Sequence, residues 1–165
     1  MRRLQRGVTL IELMVGIALV AILASIAVPS FDNMLRSNRV TMQTNSLLQA
    51  FSLARSEAVK TRQTVRVCPS TDLASCANSN NWASGWIVID GGGNVIQAWD
   101  GPGAGATVTS AAGVQSVRYH PSGMLVNAAA VQITHEIAGC TGNQARVITI
   151  GVTGQASVAE QACSS

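Results

Sequence analysis

Charged and aromatic side chains are scarce in this sequence. Asp, Glu, Lys and Arg make up 12% of its 165 residues, and Phe, Trp and Tyr only 4%. With 47% apolar residues, that balance excludes a disordered chain or a solvated coiled coil. Catalytic and metal-binding patterns are missing too. His120 and His135 are the only histidines, no CxxC or HxxxH spacing is present, and zinc is not expected. No GxSxG elbow surrounds any serine; His120 and Ser122 sit in Arg118-Tyr119-His120-Pro121-Ser122-Gly123, a strand running into a turn. Gly101-Pro102-Gly103-Ala104-Gly105 lacks the following Lys-Ser/Thr of a phosphate loop. Asp72, Asp90, Asp100, Glu136 and Glu160 are scattered and border turns. These absences predict a chain with no catalytic residue, cofactor or small-molecule substrate.

What the sequence does have is concentrated at its start. Arg2, Arg3 and Arg6 account for the net charge of +3, because eight basic and eight acidic residues balance from Val8 onward. Mean hydropathy is +0.28. Val8 to Val28 is an apolar run whose single charge is Glu12. As a helix it would be ~31 Å long, enough to cross a bilayer core. Arginines before the run, and none after it until Arg36, predict an N-terminus on the cytoplasmic side. A secretory signal cut after Ser25-Ile26-Ala27, an ordinary anchor and a buried core helix are the plainer readings. Glu12 weighs against all three, since a carboxylate at the centre of a membrane helix costs about 2.5–3.5 kcal/mol on insertion scales. A core helix also conflicts with apolar residues on every face.

Gly7-Val8-Thr9-Leu10-Ile11-Glu12-Leu13 resembles the processing signal of type IV pilins and pseudopilins. The resemblance implies that a prepilin peptidase cuts between Gly7 and Val8 and methylates the new Val8 amine, leaving the apolar helix on the protein. Glu12 becomes the fifth mature residue and Pro29 the twenty-second, as in that family. Val8 departs from it, because phenylalanine is usual there. No Lys or Arg lies between Val8 and Phe31, so the nearest counter-charge for Glu12 is the amine that cleavage creates. By family analogy Glu12 pairs with the Val8 amine of a neighbouring subunit and sets its register in a filament.

Beyond Pro29, where a kink is expected, helical character continues to about Arg62. Val40, Leu47, Phe51, Ala54 and Ala58 form one stripe at helical spacing, a face that covers a core. After Thr64 the pattern changes to short strands, predicted at 64–68, 86–90, 95–99, 114–120, 131–137, 145–150 and 155–158. Gly91-Gly92-Gly93-Asn94 reads as a hairpin connection, and the Gly/Ala-rich run 100–113 as a flexible loop. The expected fold is α+β, a long N-terminal helix packed on an antiparallel β-sheet head as in type IV pilins. Its parts are a leader at 1–7, a transmembrane and assembly helix at 8–28, the second half of the helix at 29–63, and a β-rich periplasmic head at 64–165.

Cys68, Cys76, Cys140 and Cys163 all follow the helix and allow three disulfide pairings. Closure of local loops favours Cys68–Cys76 and Cys140–Cys163. The phrase Leu47-Leu48-Gln49-Ala50-Phe51-Ser52-Leu53-Ala54-Arg55-Ser56-Glu57-Ala58-Val59, with Cys68 and Trp82-Ala83-Ser84-Gly85-Trp86-Ile87-Val88, resembles minor pilins of the GspH/FimT type. That resemblance implies a subunit held in the inner membrane by a single pass, its head in the periplasm. It would join other minor pilins and the major pilin, with no small-molecule substrate, to prime pilus assembly from a tip complex. A type II secretion pseudopilin is the alternative. Some FimT-type pilins bind DNA through a Gly-Arg-x-Arg element, but the corresponding place here is Gly154-Gln155-Ala156-Ser157, without either arginine. From Val67 onward two basic residues face five acidic ones. Arg55, Lys60, Arg62 and Arg66 are the weak DNA-binding candidates, and DNA is disfavoured as a partner.

Overall fold

A helix needs a partner for its first free N–H groups, and Thr9 supplies one: its Oγ1 accepts a hydrogen bond from the Glu12 N–H at 3.3 Å. The computed structural model describes residues 9–110, 113–126 and 129–164, with the side chains of 26–30 outside the description. Helix α1 runs Leu10–Thr61. The chain divides into two compact units, Met1–Leu35 and Arg36–Ser165.

Among the described residues of the first unit the helix has no buried face. Ten large apolar side chains between Leu10 and Leu23 are 52–76% exposed. Among the described residues no helix is long and apolar enough to cross a membrane. The apolar run itself continues into residues 26–28, whose side chains lie outside the description. Pro29 lies within α1.

In the second unit the helical stripe is the wall of the core. Val40, Leu47, Phe51, Ala54 and Ala58 are at most 1% exposed, as their spacing predicts. Phe51 meets Trp82 with ring centroids 6.2 Å apart and planes tilted by 56°. The helix stops after Thr61, where Arg62 turns the backbone to φ 56°, the left-handed cap that frees the chain to leave as a strand.

Eight strands follow: β1 Val65–Pro69, β2 Gly85–Ile89, β3 Val95–Asp100, β4 Ala106–Ser110, β5 Val117–Tyr119, β6 Val131–Ile137, β7 Ala145–Ile150 and β8 Ala156–Gln161. The predicted α+β class holds, but the strands divide into two antiparallel sheets rather than one, ordered β3-β2-β1-β5 and β4-β6-β7-β8. Alternation places Val65, Val67, Val117 and Tyr119 on the inner face of the first sheet. The 90–94 hairpin forms as expected, with the Asp90 N–H donating to the Asn94 carbonyl at 3.0 Å.

The flexible loop expected at 100–113 is a correction. Its second part is β4, paired along its length with β6, and Val108 is buried opposite His135. Two threonines and a valine alternate there, and their β-branched side chains outweigh the glycine-rich start of the run. The strand expected over 114–120 shortens to β5, while β8 runs three residues beyond its predicted end.

The cysteines are joined Cys68–Cys76 and Cys140–Cys163, with Cα atoms 5.5 and 5.9 Å apart. The second bridge spans 23 residues of sequence against 8 for the first. Chain-entropy scaling gives the longer loop about 1 kcal/mol more stabilisation, within a total of about 3 kcal/mol. Cys140→Ser/Cys163→Ser is therefore expected to lower the thermal midpoint of the full chain in detergent more than Cys68→Ser/Cys76→Ser does. Equal losses would show that chain entropy does not govern the difference.

Candidate functional site

Among the described residues, those singled out in the sequence are not brought together into one site. Gly7 and Val8 lie outside the described residues. Glu12 stands in the first turn of α1, three residues after the Thr9 cap. Thr9-x-x-Glu12 has the spacing of a capping box, a signal legible in the sequence itself. A carboxylate in a first turn is also favoured by the helix dipole. Among the described residues no cation pairs with Glu12.

Two of the four basic candidates have side-chain partners among the described residues. The Arg55 Nε donates to the Gly123 carbonyl at 3.1 Å, and Lys60 pairs with Glu57 at 3.0 Å. Arg62 is the helix cap. Arg66 lies on the far side of β1, directly opposite Arg118 of β5, a pairing with no local signal in the sequence.

Gly154 and Gln155 belong to the turn before β8. A pocket of about 260 Å³ separates this turn from Leu48, Phe51, Ser52 and Arg55 of the helix. Gly154 is buried at φ +80°, and a methyl group there would run into the Gly123 carbonyl oxygen. The glycine is thus explained by close packing of two turns. Burial pushes the phenol of the adjacent Tyr119 above its ordinary pKa, with Arg55 opposing.

Neither histidine forms a catalytic arrangement. His120 is exposed, and its Nδ1 lies 3.1 Å from Ser122 Oγ and accepts the Ser122 N–H at 3.2 Å. Both contacts close the turn, and no carboxylate orients the ring. His135 is 1% exposed, with Nδ1 3.1 Å from Thr44 Oγ1 and no partner for Nε2 among the described residues. Desolvation, with a smaller contribution from Arg146, lowers its pKa from 6.5 to about 4. No group of three or more His, Cys, Asp or Glu positioned to hold a metal occurs among the described residues.

One contact had no sequence signal. Arg36 Nη1 donates to the carbonyls of Ala138 and Gly139, each at 3.0 Å. Gly139 has φ +72°, and a methyl group there would meet the guanidinium. Next to that loop, Cys140 is bridged to Cys163, and the Ser164 N–H donates to Glu136 Oε1 at 3.0 Å. Helix, loop and C-terminal segment are held in series.

The fold is similar to that of the type IV minor pilin FimU of Pseudomonas aeruginosa. One crystal form gives a TM-score of 0.62 at 21% identity over 74% of this chain and 89% of that one. A second gives 0.58 at 19% identity over 72% and 91%. The minor pseudopilin EpsH from the type 2 secretion system of Vibrio cholerae gives 0.52 at 13% identity over 74% and 97%. At these identities the likeness is one of fold. Comparison with curated proteins gives no match. The prokaryotic N-terminal methylation motif matches residues 2–28. The family described as type II transport protein GspH matches residues 43–154, well over half the sequence. An N-terminal methylation motif followed by one long helix and a two-sheet, twice-bridged head therefore has a family, and the chain belongs to the GspH family of minor pilins and pseudopilins.

Proposed function

We propose that this protein is a non-enzymatic minor pilin, processed between Gly7 and Val8, anchored in the inner membrane before assembly and then built into a filament. The observation that carries this reading is the solvent-facing apolar helix with one carboxylate in its first turn. Leaving ten large apolar side chains more than half exposed to water forgoes about 10–20 kcal/mol. Lipid and then neighbouring helices supply the missing apolar surroundings. Neither satisfies Glu12, whose partner in this reading is the methylated Val8 amine of an adjacent subunit. Contact with that neighbour relieves the charge, so assembly is selective for correct stagger. The head adds surfaces for other pilins, in a complex that primes polymerisation and stays at the tip.

Glu12→Gln keeps the side chain's size and removes its charge. It is expected to leave the chain inserted and the head folded, while its recovery in sheared filaments falls roughly tenfold. Undiminished recovery would reject the charge pairing. Intact mass of the mature chain checks processing separately: it should begin at methylated Val8, whereas secretory cleavage gives Val28.

A pseudopilin role in type II secretion is the second reading, favoured by the GspH family match and the likeness to EpsH. Deleting the gene separates the two: loss of surface pili supports the first, and accumulation of exported proteins in the periplasm supports the second.

A further inference from the structure

Arg66 and Arg118 are partners in register across β1 and β5, on the sheet face opposite the one formed by Val65, Val67, Val117 and Tyr119. Like charges directly opposed in an antiparallel pair are unfavourable. Both arginines line a cleft of about 410 Å³ with Thr64, Asp90, Gly91 and Gly93. The ion pairs among the described residues are Lys60–Glu57 and Arg146–Glu160, so neither guanidinium is neutralised there.

The one acidic residue of the cleft is committed to its own turn. Asp90 Oδ1 accepts the N–H groups of Gly92 and Asn94 at 2.9 and 2.8 Å, and Oδ2 accepts Asn94 Nδ2 at 3.0 Å. Hydrogen bonds from Asn94 hold this carboxyl below the usual range. Gly91 packs its backbone toward Gln63 and Thr64, so the hairpin forms one wall of the cleft. Two guanidinium groups with no ion pair among the described residues thus share a recess with one carboxylate, which leaves the recess net positive in a head that is otherwise acidic.

We propose that this cleft docks an acidic segment of a partner protein, with Arg66 and Arg118 binding its carboxylates. Guanidinium forks match carboxylates in paired, charge-assisted hydrogen bonds. Duplex DNA needs a longer track of cations. Neither Arg55 nor Lys60 lines the cleft, and they are engaged by the Gly123 carbonyl and by Glu57. The inference does not depend on which filament or secretion system the subunit serves.

The test uses the full chain in nonionic detergent micelles and a labelled peptide of alternating Asp and Glu, read by fluorescence anisotropy. Binding should weaken at least about tenfold in Arg66→Gln and in Arg118→Gln, stay unchanged in Lys60→Gln, and fall with added salt. Thermal midpoints of the two arginine variants should be equal to or above that of the parent, because substitution removes a like-charge contact. Absence of peptide binding at low ionic strength overturns the proposal, as does binding that ignores both arginines. A labelled duplex that displaces the peptide would assign the cleft to nucleic acid instead. A lowered midpoint in both variants would make the arginines structural.

Discussion

Gly154→Ala is expected to destabilise the head by about 3 kcal/mol or more, a drop of roughly 10 °C in the thermal midpoint. Two causes add. The backbone at φ +80° is one that a side chain adopts only at a cost. The new methyl group would also meet the Gly123 carbonyl oxygen and lie close to the Tyr119 ring. That carbonyl accepts from Arg55 Nε, so moving it disturbs the helix-to-turn contact as well. Gln155→Ala, at the exposed neighbouring position, should change stability by less than about 0.5 kcal/mol. Thermal denaturation of the two variants measures the contrast directly. If Gly154→Ala melts with the parent, the turn is adaptable and its glycine needs an explanation other than packing.

Acid should weaken the fold through His135. The imidazole lies between Thr44 of α1 and the two sheet neighbours Val108 and Arg146, and is neutral when folded. Its pKa falls from 6.5 to about 4 on folding, so the unfolded chain binds the proton more tightly. The contribution is therefore complete above about pH 6.5 and is lost as pH falls toward 4. The shift corresponds to about 3 kcal/mol. Arg146 adds to the effect, since a second positive charge would form beside its own, while Glu160 pairs with Arg146 at 3.2 Å from the solvent side. Unfolding free energy measured in denaturant across this range should decline with acidity in the parent and stay level in His135→Leu. Equal slopes in both would move the acid sensitivity to the carboxylates.

The elements read most easily from sequence were those fixed by near neighbours. The stripe from Val40 to Ala58 needs only helical spacing, and the Asp90–Asn94 turn only its glycines and its capping carboxylate. Division of the strands into two sheets is decided by pairings between distant segments, such as β1 with β5 and β4 with β6, which leave no local trace. β4 was hidden by the glycines before it, although the alternation at 106–110 was visible. Thr9 was equally visible as a cap for Glu12. Arg36 was not, because its acceptors are backbone carbonyls more than a hundred residues away. Arg118 gained its meaning only when β5 was laid beside β1.

The grip of Arg36 has a mechanical consequence. Tension on the helix at Arg36 would reach the Ala138 and Gly139 carbonyls through its two hydrogen bonds, beside the buried stripe that holds the helix to the core. The adjoining Cys140–Cys163 bond then passes it covalently to the segment after β8. The start of the head's helix, the loop after β6 and the segment after the edge strand β8 are thereby fastened to one another.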